Sequence, residues 1–566
     1  MKVMKIFIVY VLLVAFALAC VGCGDTSKSP NATTAADSSG TAAASSSNKT
    51  TSSEDPFGKY TPSIDMSAVT SIDSWMKLPE GQTLDDNIWT RTYRDELGIN
   101  INILWSTTGD QVGSKTSLMI ASNDLPDLFC VNRGQFEQLY AADRLQDLTE
   151  AYDKFASPFV REKIYNEINK STVDATTKDG KLYGLAWNLD YVDSSGALWV
   201  RTDWLKQLNL QEPKTIADVE NIAKAFMSNG VNNGKPAKYG IAFTKEFANR
   251  SLFNSFHAYP PLSVGGTDFF LDDGSGKLVN GKLGSEMKNC LTRLQKWYSE
   301  GIIPKDFGVI DEQKSGEDIA NGLVGIKFGG LWDSFDWLPA KRDNPDLQIK
   351  SIALPSIDDK PARTGVTDLN IQGLWVVRNG YEHPEAAIKI LNINQKYLFD
   401  SATMDTYKYG WDLNGNNMWC FSFIYNEPMR KNLEIFQKVR EAFKTKDTSN
   451  LNTEQKITYD QMVKGQQGDP DSWVALLQSG PEGSSFGVAE SYLNNDLYQL
   501  NAFNGIPTET MIEKNATLQK LFAEMMTKVI LGADISEFDN YVKKSQNLGE
   551  ADIEKEVNDW YQTNKK

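Results

Sequence analysis

Catalytic equipment is what this chain has least of. It carries two histidines, His257 and His383, in 566 residues. There is no HExxH and no Gly-x-Ser-x-Gly in a strand–turn–helix setting, and Gly276-Lys277 lacks both the upstream glycine spacing and the following Ser or Thr of a phosphate loop. Metal, triad and nucleotide chemistry are hard to build from that. A two-carboxylate glycosidase stays open, because 74 acidic residues always offer pairs and the test is their separation in space. Cysteine is sparse as well. Of five, only Cys130, Cys290 and Cys420 lie beyond residue 23, each isolated in an apolar context, which reads as three small core residues and no disulfide framework. Positive charge is in deficit too: the net charge of -16 argues against nucleic acid or an anionic membrane surface as partner.

What is present begins with a leader. Met1 to Lys5 holds two lysines, and Ile6 to Ala19 is an apolar run too short to span a bilayer comfortably, as in a signal-peptide core. Residues 1–22 are therefore expected to be an export signal. The small residues of Ala19-Cys20-Val21-Gly22-Cys23-Gly24 resemble the lipobox of bacterial lipoproteins, in which a cysteine becomes the lipidated first residue of the mature chain. Cys23 has the best flanks and Cys20 is the alternative register. Residues 23–58 follow as Ser, Thr, Ala, Asn, Gly and Asp with almost no large apolar side chain, so nothing offsets the entropy of ordering them. They read as a tether between a lipid anchor and a soluble body.

The body is aromatic-rich, with 14 Trp, and too long for one core. Trp89, Tyr93 and Leu97 recur at helical spacing before Gly98, and Ile99, Ile101 and Ile103 then alternate with asparagines. Helices at 114–121, 135–142 and 147–155 flank a short strand at 125–131, and a second run follows with strands at 182–187 and 197–203 and a helix capped by Thr215. Such alternation implies βαβ units and a largely parallel sheet. Val324, Ile326 and Phe328 form another strand, which ends at Gly329-Gly330 and is followed at once by Trp332 and Asp333. A strand that stops in glycines and presents an aromatic beside a carboxylate is how open α/β sheets build a ligand crevice.

Several short motifs in order carry a resemblance. Gly180-Lys-Leu-Tyr-Gly-Leu, Leu198-Trp-Val-Arg-Thr-Asp-Trp-Leu205, Gly322-Leu-Val-Gly-Ile, Trp332, Gly373-Leu-Trp-Val-Val and His383-Pro-Glu-Ala-Ala387 are similar to the landmarks of family 1 extracellular solute-binding proteins, the lipid-anchored sugar receptors of ABC importers. Asp86-Asn-Ile-Trp-Thr-Arg, Leu118 to Asp127, Phe256-His-Ala-Tyr-Pro260 and Gly505 to Met511 place it nearest the long lipoprotein LipO-like branch. The resemblance spans about residues 80 to 565. It implies a two-lobe α/β fold of the type II periplasmic-binding-protein kind, with an interlobe cleft and extra C-terminal helices. Residues 59–186 and about 365–400 would form lobe 1, and 187–364 with about 401–566 lobe 2. It further implies a monomer on the outer face of the cell membrane that delivers a carbohydrate, an oligosaccharide, to permease subunits, with no cofactor and no enzymatic role. A surface glycoside hydrolase or a ligand sensor on the same fold are the alternatives. Relatives often carry an Asp-rich calcium loop before a Tyr-Gly; here Ser228 to Gly240 has no carboxylate, so no metal is expected there.

A sugar presents apolar C–H faces and a rim of hydroxyls, so its receptor needs flat aromatics and a few polar arms. Trp332 and Asp333 are the leading candidates, and the resemblance implies sugar stacking at Trp332; the competing role is to cap the sheet core. Trp187 and Asn188 end a strand where the chain should cross between lobes, with Asp190 just beyond. His257 and Tyr259 lie in an aromatic cluster, and Trp411, Trp473 and Phe486 sit in irregular surroundings. Arg201 is read as pairing with Asp203, and Trp375 as strand or hinge core.

Overall fold

In this computed structural model residues 54–73, 76–165, 170–245, 250–261, 268–367, 369–411 and 416–564 are described. The leader, Cys20, Cys23 and the tether up to residue 53 lie outside the described residues. No helix among the described residues is long and apolar enough to cross a membrane.

Eight strands, β1 (Ile64–Ser71), β2 (Ile99–Thr107), β3 (Leu128–Val131), β4 (Leu185–Asn188), β5 (Gly196–Arg201), β6 (Ile326–Gly330), β7 (Ile349–Ile352) and β8 (Ile371–Val377), form the two main sheets. The first runs β2-β1-β3-β8-β4 and the second β6-β5-β7. On β1, Ile64, Met66 and Ala68 face a core while Asp65 is exposed, the period-two pattern of a strand with one wet face. β5 is buried at every position, as a strand covered on both faces must be.

Strand direction fixes where a ligand can sit. β1 is parallel to β2 and β3, as the alternation of helix and strand predicted. The second sheet departs from that expectation: β5 is antiparallel to both β6 and β7. In the first sheet β8 is likewise antiparallel to β3 and β4. The reason is connectivity. β5 follows β4 directly across from the first sheet, and β8 returns from the second, so each enters its new sheet from the crossing end and runs against its neighbours. The carboxyl ends of β1, β3 and β4 therefore point toward the crossing, and so does the Gly330 end of β6, which pairs with Gly196 at the start of β5.

Two large cores result. One packs Trp89, Tyr93, Leu128, Leu148, Ile388 and Ile393 against the first sheet, and the other packs Leu198, Val200, Trp204, Phe226, Trp297 and Phe328 against the second. Tyr409 and the segment from Met418 to Tyr425, expected with the second lobe, pack instead into the first core, because Tyr409 stacks on Tyr397 and the Trp89 Nε1–H donates to the Met418 carbonyl. Among the described residues the chain thus passes between the two cores at 188–196, 366–371 and 425–433. The crossings are tied together: the Leu189 N–H donates to the Asn370 carbonyl, Arg430 pairs with Asp190, and the Asn432 amide donates to Asp193.

Six helices position the binding region and its supports: α1 (Arg133–Ala141), α2 (Ile216–Ser228), α3 (Arg250–Asn254), α4 (Ser285–Ser299), α5 (Glu509–Ile530) and α6 (Ala551–Asn564). Thr215 caps α2 as its sequence predicts, accepting from the Asp218 N–H. The C-terminal helices are pinned to the second core by a buried trio in which Lys282 binds Asp268 and Glu550. Glu220 joins α2 to α4, accepting from Lys224, Lys296, Arg293 and the Trp297 indole. Burial alone would raise its carboxyl, but those donors outweigh it and hold the group well below the usual carboxylate range.

Glu220→Gln should therefore lower the unfolding free energy at neutral pH by about 1 kcal/mol, since it removes the shared anion of three cations that are themselves partly exposed and so screened by water. Because the folded pKa is depressed, the native advantage is full above the ordinary glutamate pKa and is lost as pH falls through the folded value. Urea unfolding of both proteins from neutral to strongly acidic pH should show the gap closing below about pH 4; a gap constant with pH contradicts the assignment.

Candidate functional site

At the carboxyl ends of β1, β3 and β4 lies a pocket of about 220 Å³. Its floor is set by register. Gly373 stands opposite Trp187 and Trp375 opposite Cys130, so Trp187, Trp375 and Cys130 project from one face of the sheet around the bare Gly373. Gly373 is required there, because a Cβ would collide with the Cys130 sulfur. Trp419 and Tyr425, with ring centres 5.0 Å apart, close one side, and Thr70, Ser71, Thr116, Asn132, Gln135 and Gln372 supply polar edges.

Two features of this pocket bear on its chemistry. No charged side chain among the described residues lines it, and burial pushes the Cys130 and Cys420 thiols up to about 12, so they too are neutral. The Nε1–H groups of Trp187 and Trp375 are buried without an acceptor among the described residues. An unmet indole N–H is costly in a protein interior, and the core residues Trp204 and Trp337 share that state; the pair here differs in lining an opening from which an oxygen can be supplied.

The second sheet contributes from its own crossing end. Trp332 opens a 3-10 turn directly after β6 and is 42% exposed, its ring edge-on to Phe486 at 5.5 Å. Asp333 beside it is committed elsewhere: its carboxylate lies over Gly329, where a Cβ would run into it, and is 2.9 Å from the Lys327 ammonium. Asp336 binds the same ammonium. Asp333 thus fixes the turn that presents Trp332. Between the two bodies, the Arg133 guanidinium at the start of α1 donates to the Asn504 carbonyl at 3.0 Å.

The other expected residues divide. Trp187 lines the pocket, whereas Asn188 is buried and its amide meets the Met429 sulfur. Asp190 is buried in the crossing, capping a 3-10 turn through the Val192 N–H and paired with Arg430; burial raises its carboxyl and Arg430 opposes that. His257 adopts a left-handed backbone and pairs with Asp358, and Tyr259 is buried on Phe269 with its hydroxyl donating to the Arg363 carbonyl. Trp473 and Phe486 are core residues, packed with Leu477 and with Phe436 respectively, because each falls on the inner face of a helix whose loop-like flanks hid it. Trp411 is half-buried and bridges to Asn417. Arg201 does bind Asp203, through two hydrogen bonds. Trp375, Trp419, Cys130 and Cys420 were read as core or passed over. The parity of Trp187 and Trp375 about Gly373 would have flagged Trp375, and nothing in the local sequence marks Trp419.

Residues 77–393 match the family described as bacterial extracellular solute-binding protein. Over 237 residues the chain is 25% identical to lipoprotein LipO of Bacillus subtilis, covering 40% of this chain and 44% of that one. Over 170 residues it is 28% identical to the polygalacturonan/rhamnogalacturonan-binding protein YtcQ of the same organism, covering 30% and 32%. The chain thus spans less than half the length of either relative. Among solved structures, an HMO-binding, ABC-transporter-associated solute-binding protein from Bifidobacterium longum infantis superposes with a TM-score of 0.64 at 17% identity, covering 88% of this chain and 98% of the other. That likeness establishes the two-lobe periplasmic-binding-protein fold, with its lobes built on the two main sheets.

Trp332→Ala and Trp473→Ala separate a rim aromatic from a core one. The first should weaken ligand binding about tenfold or more, on the order of 1.5 kcal/mol, with little change in melting. The second should cost about 3 to 5 kcal/mol of stability. Calorimetric titration beside urea unfolding reads both; equal losses of folding would return Trp332 to the core.

Proposed function

The chain belongs to the bacterial extracellular solute-binding proteins, and from that premise we propose that it is the extracytoplasmic receptor of an ABC importer, binding an oligosaccharide between its lobes and passing it to membrane permease subunits. The observation that carries this is the pocket with Trp187, Trp375 and Trp419 in its walls, which among the described residues has no charged side chain and no acceptor for two of its indole N–H groups. Indole faces suit the C–H faces of a sugar, and an orphaned N–H suits a hydroxyl or ring oxygen. Names of relatives and structural neighbours that mention polygalacturonan or HMO point to the same class. Lipid attachment at Cys23, with Cys20 as alternative, would hold the protein to the cell membrane through the tether of residues 23–58, as a monomer.

Closure supplies the signal. A guest that touches the first-lobe pocket and Trp332 together binds the closed arrangement better than the open one, and only that difference shifts the population. Moving such an equilibrium from one part in a hundred to nearly complete needs about 5.5 kcal/mol of differential binding. A few stacked rings at about 0.5 to 1.5 kcal/mol each, with the paired indole donors, are of that order. Asp190 and Asn188 act through the crossings, as parts of the hinge. No carboxylate among the described residues lines the pocket, which favours release of the guest unaltered over hydrolysis.

Tryptophan fluorescence and thermal-shift screening against an oligosaccharide panel should give at least one saturable hit, with the saccharide recovered intact by chromatography. Shortened products would replace the receptor by a surface glycoside hydrolase. Binding confined to amino acids or peptides would remove the carbohydrate reading.

A further inference from the structure

Glycine inside a helix is destabilising relative to alanine, because it gives the unfolded chain more freedom and packs nothing. Where one persists, a close neighbour or a backbone angle should require it. The helix Gly109–Ser122, which flanks the pocket, carries two. Gly109 has such a neighbour: its N–H donates to the Asp73 carboxylate at 2.7 Å, and a Cβ would stand 2.8 Å from the other oxygen of that group. Gly113 has none. Its backbone is ordinary helix, so no left-handed angle calls for glycine. A Cβ there would find no atom of the described residues within 4 Å.

That open space belongs to the pocket. Gly113 lines it beside Val112 and, one turn on, the buried Thr116. Residues three and four apart share a helix face, so the face turned to the pocket is bare at Gly113. The turn itself is held fast, because the Gly113 carbonyl accepts from the Ser117 hydroxyl at 3.0 Å and from the Gln135 amide at 3.3 Å. Gly373, the other glycine of this pocket, differs, since the Cys130 sulfur sits over it. Only at Gly113 does a missing side chain leave room that the described residues do not fill. In a pocket of about 220 Å³, one added side chain would take up much of the space. Gly316, in the helix Glu312–Ala320, supplies the contrast: a Cβ there also meets nothing within 4 Å, but Gly316 lies outside the pocket.

We propose that Gly113 is a specificity-determining residue, whose missing side chain leaves room for part of the bound saccharide to lie against the helix backbone and so sets the bulk of the guest admitted there. This rests on the reading of the protein as a carbohydrate receptor and deepens it. Calorimetric titration of the full chain with neutral and acidic oligosaccharides of differing ring and length tests it, in the parent and in Gly113→Ala, Gly113→Leu and Gly316→Leu proteins. Gly113→Leu should weaken the tightest-binding saccharide about tenfold or more, and Gly113→Ala by a smaller factor. Slighter saccharides should lose less than bulky ones, which changes the order of preference. Both Gly113 proteins should melt at or above the parent temperature, because the helix gains a better former. Gly316→Leu should melt likewise and keep every affinity of the parent. Affinities unchanged in Gly113→Leu, the same loss for every saccharide, or early melting of both Gly113 proteins overturns the assignment and leaves a carbohydrate receptor standing. A parent protein that binds no saccharide of the panel overturns both.

Discussion

Two strands that run the wrong way for their sheets set up the rest of this structure. β5 and β8 are the strands by which the chain enters one sheet directly from the other, and each lies antiparallel between neighbours that are parallel to one another. That arrangement turns the carboxyl ends of β1, β3, β4 and β6 toward the crossings. Every strand that can offer a loop to a ligand then offers it to the same region, which is how open α/β sheets place their binding crevices. It also makes hinge and site neighbours: Trp187 lines the pocket, and Asp190, three residues on, is paired with Arg430 in the third crossing.

The polar groups near the site sort by what they are committed to. Asp333 and Asp190 are polar residues close to the cleft, and each already has a partner, in Lys327 and Arg430; Asn188 gives its amide N–H to Met429, while its side-chain oxygen has no donor among the described residues. They shape backbone that presents something else. The Trp187 and Trp375 indoles are buried donors left unmet. In a receptor that must release its guest, unmet neutral donors are a sensible device: they reward an oxygen atom without the large desolvation cost of a buried charge.

Much of the fold was legible in sequence because it rests on local signals. The alternation of Ile99, Ile101 and Ile103, the cap at Thr215 and the glycine stop after β6 all became what their patterns predict. The direction of β5 and β8 was not legible, since it depends on partners more than a hundred residues away. Nor was the assignment of Tyr409 and of Met418 to Tyr425 to the first core, which is decided by contacts with Trp89 and Tyr397. The site divided along the same line. Trp332 stands out because a glycine pair precedes it, and it is exposed, not sealed in the sheet core. Trp473 and Phe486 look like cleft residues only until their helices are seen to turn them inward. Trp375 sits in an apolar run that reads as core; it is buried and lines the pocket at once, a combination that sequence hydropathy cannot express.

The central claim is that one guest is held from both sheets at their crossing ends. The most direct measurement is a crystal structure of the protein with its tightest-binding oligosaccharide. The account predicts saccharide density in contact with Trp187 and Trp375 on one side and Trp332 on the other, with oxygen atoms accepting from the two indole N–H groups. A saccharide lodged against one body alone, or elsewhere on the surface with that pocket left empty, would contradict it.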